Sequence, residues 1–169
     1  MAKKQKRPRV PGTQAVRALR AAGVEFEPLF YTYEEQGGTG VAARALDVPR
    51  HHIVKSLVFE DDEGQLLMVL MHGDRSVAPG MLARAVGARS TQTASFEKAH
   101  KSTGYLFGGT SPFGMLRPIP IYAQQSIQEL EYLCINGGRR GLLVRITPQD
   151  LENVTGCTWV EVAQPKEEG

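Results

Sequence analysis

A lysine set inside an apolar strand pattern is the residue on which chemistry can most readily be built. In the run Ile53-Val54-Lys55-Ser56-Leu57-Val58-Phe59-Glu60, alternate side chains share a face, so Lys55 lies with Ile53, Leu57 and Phe59 while Val54, Ser56 and Val58 face the other way. Both faces are largely apolar, which predicts a central strand, and an unpaired ammonium is costly to bury there. Either Lys55 guards a strand edge or sends its head out to water along a packed stem, or its charge is kept for a ligand. A second feature is Gly108-Gly109-Thr110-Ser111-Pro112-Phe113-Gly114. Its glycines allow backbone to approach a ligand closely, and exposed N–H groups there can form an anion or oxyanion pocket. Thr110 and Ser111 add hydroxyls and Pro112 stiffens the turn. The segment matches neither the phosphate-binding P-loop nor the dinucleotide fingerprint, so an ordinary tight turn stays open as its alternative. Gly137-Gly138-Arg139-Arg140-Gly141 is read the same way, as an exposed turn or as a phosphate contact.

Other candidates lack the spacing that their chemistry needs. His51-His52 has neither the i,i+4 separation nor a nearby Cys or Glu that zinc would require, and no metal site is predicted. No G-x-S-x-G elbow surrounds Ser111, and no His-Asp context for a hydrolytic triad is visible. Glu34 and Glu35 are adjacent and would point apart on a strand, which makes them a poor acid–base pair.

The elements that must position Lys55 and the glycine segments follow from periodicity and punctuation. A helix begins after the cap Thr13, with Val16, Leu19 and Arg20 spaced for one edge, and stops at Gly23. Residues 26–33 read as a strand interrupted by Pro28. Gly37-Gly38-Thr39-Gly40 reads as a flexible link before an Ala-rich helix with Val41, Ala42, Ala45 and Leu46 inward, stopped before Pro49. Two strands, 53–60 and 65–72, are joined by the hairpin turn Asp61-Asp62-Glu63-Gly64. Pro79 opens a helix that runs to Gly87, a short helix lies at 96–101, and 104–120 is a structured loop rich in Gly, Pro and aromatic residues. Strands are predicted at 119–123, 131–136 and 142–146, a helix starts at 147–150, and a last strand covers 159–162. Strands and helices mix without steady βαβ alternation, which predicts a mixed α/β (α+β) fold.

Length and composition bound the rest. A chain of 169 residues, 41% hydrophobic and 22% charged, is a single ordinary globular domain. The longest apolar stretch, 66–71, is far short of a membrane span, and the basic start followed by Pro8, Pro11 and Gly12 is unlike a secretory signal. Cys134 and Cys157 have no C-x-x-C partner and read as buried thiols of a cytoplasmic protein. The net charge is +2, yet five positive charges fall in the first nine residues, and the remainder holds 15 basic against 18 acidic residues. The body is therefore no general polyanion binder. The basic tail, residues 1–12, is either a solubilising arm or a nucleic-acid contact.

Three ordered motifs carry a family resemblance: Val54-Lys55-Ser56-Leu57-Val58; Ser102-Thr103-Gly104-Tyr105-Leu106 joined to Gly108 through Gly114; and Asn136-Gly137-Gly138-Arg139-Arg140-Gly141-Leu142. Together they resemble YbaK-type aminoacyl-tRNA deacylases, freestanding relatives of the editing domain inserted in bacterial prolyl-tRNA synthetase. The opening helix and Thr32-Tyr33-Glu34 fit too, so the likeness covers residues 13–163 as one domain, leaving 164–169 as a C-terminal tail. The resemblance implies a central, mostly antiparallel, barrel-like sheet surrounded by helices. It also implies removal of a mischarged amino acid from tRNA, most often cysteine from proline tRNA, with alanine removed by sister branches. Lys55 matches the family's essential lysine, Gly108 and Pro112 match the ends of its G-x-x-x-P loop, and Tyr33 matches a pocket tyrosine. Gly109, Thr110, Ser111, Asn136 and Arg140 are the implied substrate contacts. Aminoacyl-tRNA is the implied partner, prolyl-tRNA synthetase a further one, and neither cofactor nor metal is implied. Two positions depart from the pattern: Leu143 stands where many relatives carry an aspartate, and Asn136 where serine is common. A non-catalytic tRNA-, nucleotide- or synthetase-binding module is the reading from another class.

Overall fold

A computed structural model of the chain describes residues 9–165, so most of the basic tail and residues 166–169 lie outside the described residues. The first helix, α1 (Gln14–Ala21), is capped by Thr13, whose hydroxyl accepts the Val16 amide at 3.1 Å. Such a cap typically stabilises a helix by about 1 kcal/mol. Its buried edge is Ala15, Val16 and Leu19, and Arg20 is exposed. Strand β1 (Glu27–Phe30) runs through Pro28 instead of breaking there, because it stands at the end of the sheet and needs no amide on its open side. Helix α2 (Gly38–Leu46) starts inside the glycine run expected to be a flexible link. Thr39 anchors that first turn by donating to the Gly73 carbonyl at 2.9 Å. Val41 and Ala42 are buried as expected, but Ala45 is exposed.

After a 3-10 turn at Arg50–His52 come β2 (Ile53–Asp61) and β3 (Leu66–His72), a hairpin in register from Val54 opposite His72 to Glu60 opposite Leu66. Asp61 shapes its turn by accepting the amides of Glu63 and Gln65, each at 2.9 Å. Helix α3 (Pro79–Val86) follows, then β4 (Thr91–Thr93) and α4 (Phe96–Thr103), the latter capped by Ser95. The C-terminal part supplies β5 (Ile121–Gln124), β6 (Leu133–Arg139), β7 (Leu142–Ile146), α5 (Pro148–Thr155) and β8 (Thr158–Val160). Strand β6 enters the glycine hairpin further than expected, with its register to β7 shifting between Asn136 and Arg139. Strand β4 was not legible in the sequence, being three residues long with two of them exposed.

All eight strands belong to one sheet, ordered β1-β7-β6-β2-β3-β5-β8 with β4 also paired to β2. Four pairings are antiparallel (β1 with β7, β2 with β3, β2 with β4, β6 with β7) and three are parallel (β2 with β6, β3 with β5, β5 with β8). One face of β2 puts Val54 and Val58 into a large cluster with Leu19, Met68, Phe113 and Ile135. The other face is covered in two patches, with Phe59 and Met71 against Leu82 on one side and Ile53 and Cys134 against Ala42 on the other. Lys55 is on this second face. Cys134 and Cys157 are free and buried, and burial pushes the Cys134 thiol up to about 11.

Candidate active site

Strand β2 is central, yet one of its edges is incompletely paired. Strand β3 runs along one edge from Val54 to Glu60. The other edge is shared: β6 pairs only with Ile53 and Val54, and β4 only with Phe59 through Asp61. Lys55 begins the interval between them. The parallel register sets Ile53 beside Cys134 and Val54 beside Ile135, where the pairing ends; extended by one residue it would set Lys55 beside Asn136, on the same face of the sheet. Across β6 and β7, Asn136 stands opposite Leu143. Lys55, Asn136 and Leu143 thus fall in one row of the extended register, at the point where β6 turns away into its bulge.

Asn136 ties three segments together. Its Nδ2 donates to the carbonyls of Gly108 at 2.9 Å and Arg139 at 3.2 Å, while its Oδ1 accepts the amides of Gly138 at 2.6 Å and Arg139 at 3.0 Å. All four hydrogen bonds belong to a side chain only 9% exposed. Arg140 adds a second strut, its Nε donating to the Phe107 carbonyl at 2.8 Å while its guanidinium lies 5.0 Å from the Tyr33 ring centre. The 107–109 loop is therefore held to the glycine hairpin by side chains from β6 and the turn. Gly109 packs so closely there that a Cβ would lie 3.1 Å from the Arg140 amide nitrogen.

Gly108 has φ +86°, and a Cβ on it would sit 2.7 Å from the Tyr33 hydroxyl. Both conditions exclude a larger residue. Gly108→Ala is expected to destabilise the protein by about 1–2 kcal/mol, the usual cost of a side chain in the left-handed region, and to push Tyr33 and the loop apart. Thermal unfolding checks this, and a variant as stable as wild type would show that the Tyr33–Gly108 contact is incidental.

The hydroxyls expected to face a ligand are turned to other uses. Ser111 is fully buried, with its Oγ accepting the Phe113 amide at 3.3 Å, and Thr110 Oγ1 leans on the Leu106 carbonyl at 3.4 Å. Pro112 is buried beside them. These three shape the loop, leaving its rim at Phe107 and Gly108 exposed.

Lys55 itself is half-buried, and its ammonium donates to the main-chain carbonyl of Arg75. Desolvation lowers its pKa from the ordinary lysine value, Arg50 lowers it further, and Asp74 opposes them. The Arg75 carbonyl is a partner that sequence reading could not supply, since any residue would present one. The turn that aims it is fixed by polar residues. The Gly73 amide donates to the Ile53 carbonyl at 2.6 Å, and Arg50 Nε donates to Thr39 Oγ1 at 2.8 Å. His51 Nδ1 meets Asp74 at 2.9 Å, and the His51 ring stacks on His72 at 3.7 Å.

His51, His72 and Asp74 bring potential ligand atoms within 4.8 Å of one another. However, His72 is committed at both nitrogens, Nδ1 to the His51 carbonyl and Nε2 to Ser126 Oγ, each at 2.7 Å. With Lys55 in the field of Asp74, this is a hydrogen-bonded clamp on the turn. His52 points elsewhere, to the Tyr132 carbonyl at 3.1 Å. The hairpin sets His72 opposite Val54, and no sequence signal pointed to the clamp.

Desolvation, before any charge effect, lowers the His72 pKa below 6.5. A depressed histidine contributes stability above its unfolded pKa and loses it as pH falls through the folded one. The melting temperature is thus expected to fall as pH drops below about 6.5, with a slope from this single proton of at most about 1.4 kcal/mol per pH unit. His72→Gln should flatten that limb in a pH series of thermal melts, and an unchanged limb would remove His72 from the account.

Lys55 thus keeps donors to spare where a central sheet opens, while Asn136 and Arg140 hold the Gly108 loop to the glycine hairpin. Residues 34–154 match the aminoacyl-tRNA editing domain family, and the chain belongs to that family. It is 24% identical over 162 residues to an Enterococcus faecalis protein, EbsC, named for Cys-tRNA(Pro)/Cys-tRNA(Cys) deacylase activity, covering 96% of this chain and 98% of that one. The proline–tRNA ligase of Moorella thermoacetica is 35% identical over 104 residues, which is 61% of this chain but 18% of the ligase. Among solved structures, one described as a trans-editing enzyme for prolyl-tRNA synthetase superposes with a TM-score of 0.81 at 26% identity, covering 92% of this chain and all of that one. The mixed fold and the editing-family membership expected from the three motifs are thus established. Among the described residues no helix is long and apolar enough to cross a membrane.

Proposed function

We propose that this protein is a freestanding deacylase that cleaves the ester joining a mischarged amino acid to the 3′ end of tRNA, with cysteine on proline tRNA as its substrate. The observation that carries the reading is the half-buried Lys55 ammonium, which holds a single protein acceptor at the point where the pairing of β2 with β6 ends. An ammonium has three N–H donors, and the Arg75 carbonyl takes one. The others are available to a phosphate, a ribose oxygen or the oxyanion that develops on the ester carbonyl, where one donor is worth about 3–4 kcal/mol. Backbone N–H groups of Gly108 and Thr110 are the further donors, since the Gly109 amide is bonded to the Leu106 carbonyl and Pro112 has none. No side chain in the row of Lys55, Asn136 and Leu143 can serve as a general base. His51 and Asp74, the imidazole–carboxylate pair near Lys55, are bound to each other, and the attacking group is assigned to the substrate, as the cysteine thiol or a tRNA hydroxyl, with its orientation supplying the rate gain. Tyr33 and Arg140 form the wall behind Gly108.

The choice of cysteine is supported by the name of the full-length Enterococcus relative. Docking on prolyl-tRNA synthetase, within the cytoplasm where tRNA is charged, is supported by the ligases that share the domain. One observation favours a non-catalytic binding module. Leu143, in the position of a frequent family aspartate, is 4% exposed and packs with Ala42, Ile53 and Cys134, so no carboxylate from β7 reaches the row. A panel of proline tRNA charged with cysteine, alanine or serine separates the readings. Fast loss of cysteine alone supports the proposal, fast loss of alanine reassigns the specificity, and binding without cleavage of any ester identifies the module.

A further inference from the structure

Among the described residues four large apolar side chains are left in solvent, and they gather around the Gly108 loop and the end of α4. Phe96 is 43% exposed, Leu106 50%, Phe107 47% and Leu116 59%. Phe96 and Phe107 meet edge to face with ring centres 5.1 Å apart, and the other side of Phe96 stacks on His100 at 5.4 Å. Main-chain bonds from the Leu116 amide to the Thr103 carbonyl (3.3 Å) and from the Arg117 amide to the Ser102 carbonyl (2.8 Å) bring Leu116 and Arg117 against the end of α4. The charge around this patch is mostly positive. Lys101 and Arg117 are exposed, Lys98 neutralises Glu60 at 2.6 Å, and Glu97 is the single other carboxylate on α4.

We infer that this patch is a stacking platform for the unpaired nucleotides that precede the terminal adenosine of tRNA, with Phe107 and Phe96 taking bases and Lys101 and Arg117 taking phosphates. The inference rests on the deacylase reading for the choice of RNA. Two observations favour a single strand of nucleic acid over a protein partner. Aromatic faces interleaved with cations suit bases strung on a charged backbone. The platform is also continuous with the pocket, because Phe107 precedes Gly108 and its carbonyl is fixed by Arg140. A 3′ end bound at the exposed Gly108 has Phe107 as its next neighbour. The loop is already braced by Asn136 and Arg140, so stacking requires little ordering of the protein.

The test is binding of the full chain to an uncharged acceptor-stem RNA hairpin ending in unpaired CCA, compared with the same stem lacking those nucleotides, read by fluorescence anisotropy. Wild type is expected to favour the CCA-ended stem. Phe96→Ala/Phe107→Ala should lose at least tenfold in affinity for it and bind both stems alike, since stacking is usually worth more than a tenfold change per base. Phe107→Tyr should retain the preference while Phe107→Leu, apolar but without a π-face, should lose it, which separates stacking from a folding defect. Lys101→Ala and Arg117→Ala should each lower the salt slope by about 0.7, the increment per single-strand phosphate. Equal binding of the two stems by wild type, or an unchanged preference in the double alanine variant, overturns the inference. So does a wild-type dimer that the double variant converts to monomer in sedimentation. Because uncharged RNA is used, a protein that prefers the CCA end yet cleaves no aminoacyl ester would refute the deacylase reading and leave this platform standing.

Discussion

Lys55→Met removes deacylation, lowering the single-turnover rate at least 100-fold, and leaves the melting temperature within a few degrees of wild type. The two halves of this expected result come from different physics. The rate falls because a positioned cation that stabilises developing negative charge commonly contributes 10²–10³ in rate. The fold survives because desolvation disfavours the ammonium in the folded state. With its folded pKa below the unfolded value, Lys55 contributes stability only as pH rises towards about 10.5, so at neutral pH its charge gives the fold nothing that methionine would remove. The hydrogen bond to the Arg75 carbonyl is lost, at about 1 kcal/mol, which in a chain of this size moves the melting temperature by roughly 2–4 °C. A variant that melts like wild type and still cleaves at the wild-type rate would show Lys55 to be a packing residue whose head merely reaches solvent.

Asn136→Asp is the second large effect, acting on stability first. The two side chains have the same shape, but the carboxylate keeps only the acceptor half of the bonding. The bonds from the Gly138 and Arg139 amides survive, while the oxygen replacing Nδ2 faces the carbonyls of Gly108 at 2.9 Å and Arg139 at 3.2 Å. Two lost donations and a buried charge against two carbonyls should cost about 2–4 kcal/mol, or roughly 6–12 °C in melting temperature. Protonating the aspartate restores one donor, so the deficit relative to wild type should shrink as pH falls towards 4. Deacylation should weaken with the loop no longer held. A deficit independent of pH would mean that the Gly108 contact is not what Asn136 contributes.

Much of this architecture was legible because its local signals agree with its packing. Thr13, Pro79 and Thr147 open helices where cap chemistry placed them, and the alternating pattern of 53–60 put Lys55 on the face where it lies. What misled was punctuation read without tertiary context. The run Gly37–Gly40 signals flexibility, yet Thr39 bonding to Gly73 makes it the first turn of α2. Pro28 signals a break, yet an end strand tolerates it. At the site, residue types were readable but their directions were not. Ser111 looks like a ligand group and is a buried turn brace, whereas Asn136, noted as a departure from serine, links the loop to the hairpin. The acceptor for Lys55 is a main-chain carbonyl, and the histidine clamp that aims it draws on residues 21 to 54 positions apart, a distance that no local pattern records.

The most direct measurement is the decay of Cys-tRNA(Pro) under single-turnover conditions with the protein in excess, beside the same RNA in buffer and beside Pro-tRNA(Pro). Rapid loss of the cysteinyl ester, with the prolyl ester decaying as in buffer, is the predicted result. Equal decay of the cysteinyl ester with and without the protein would contradict the claim that this chain edits tRNA.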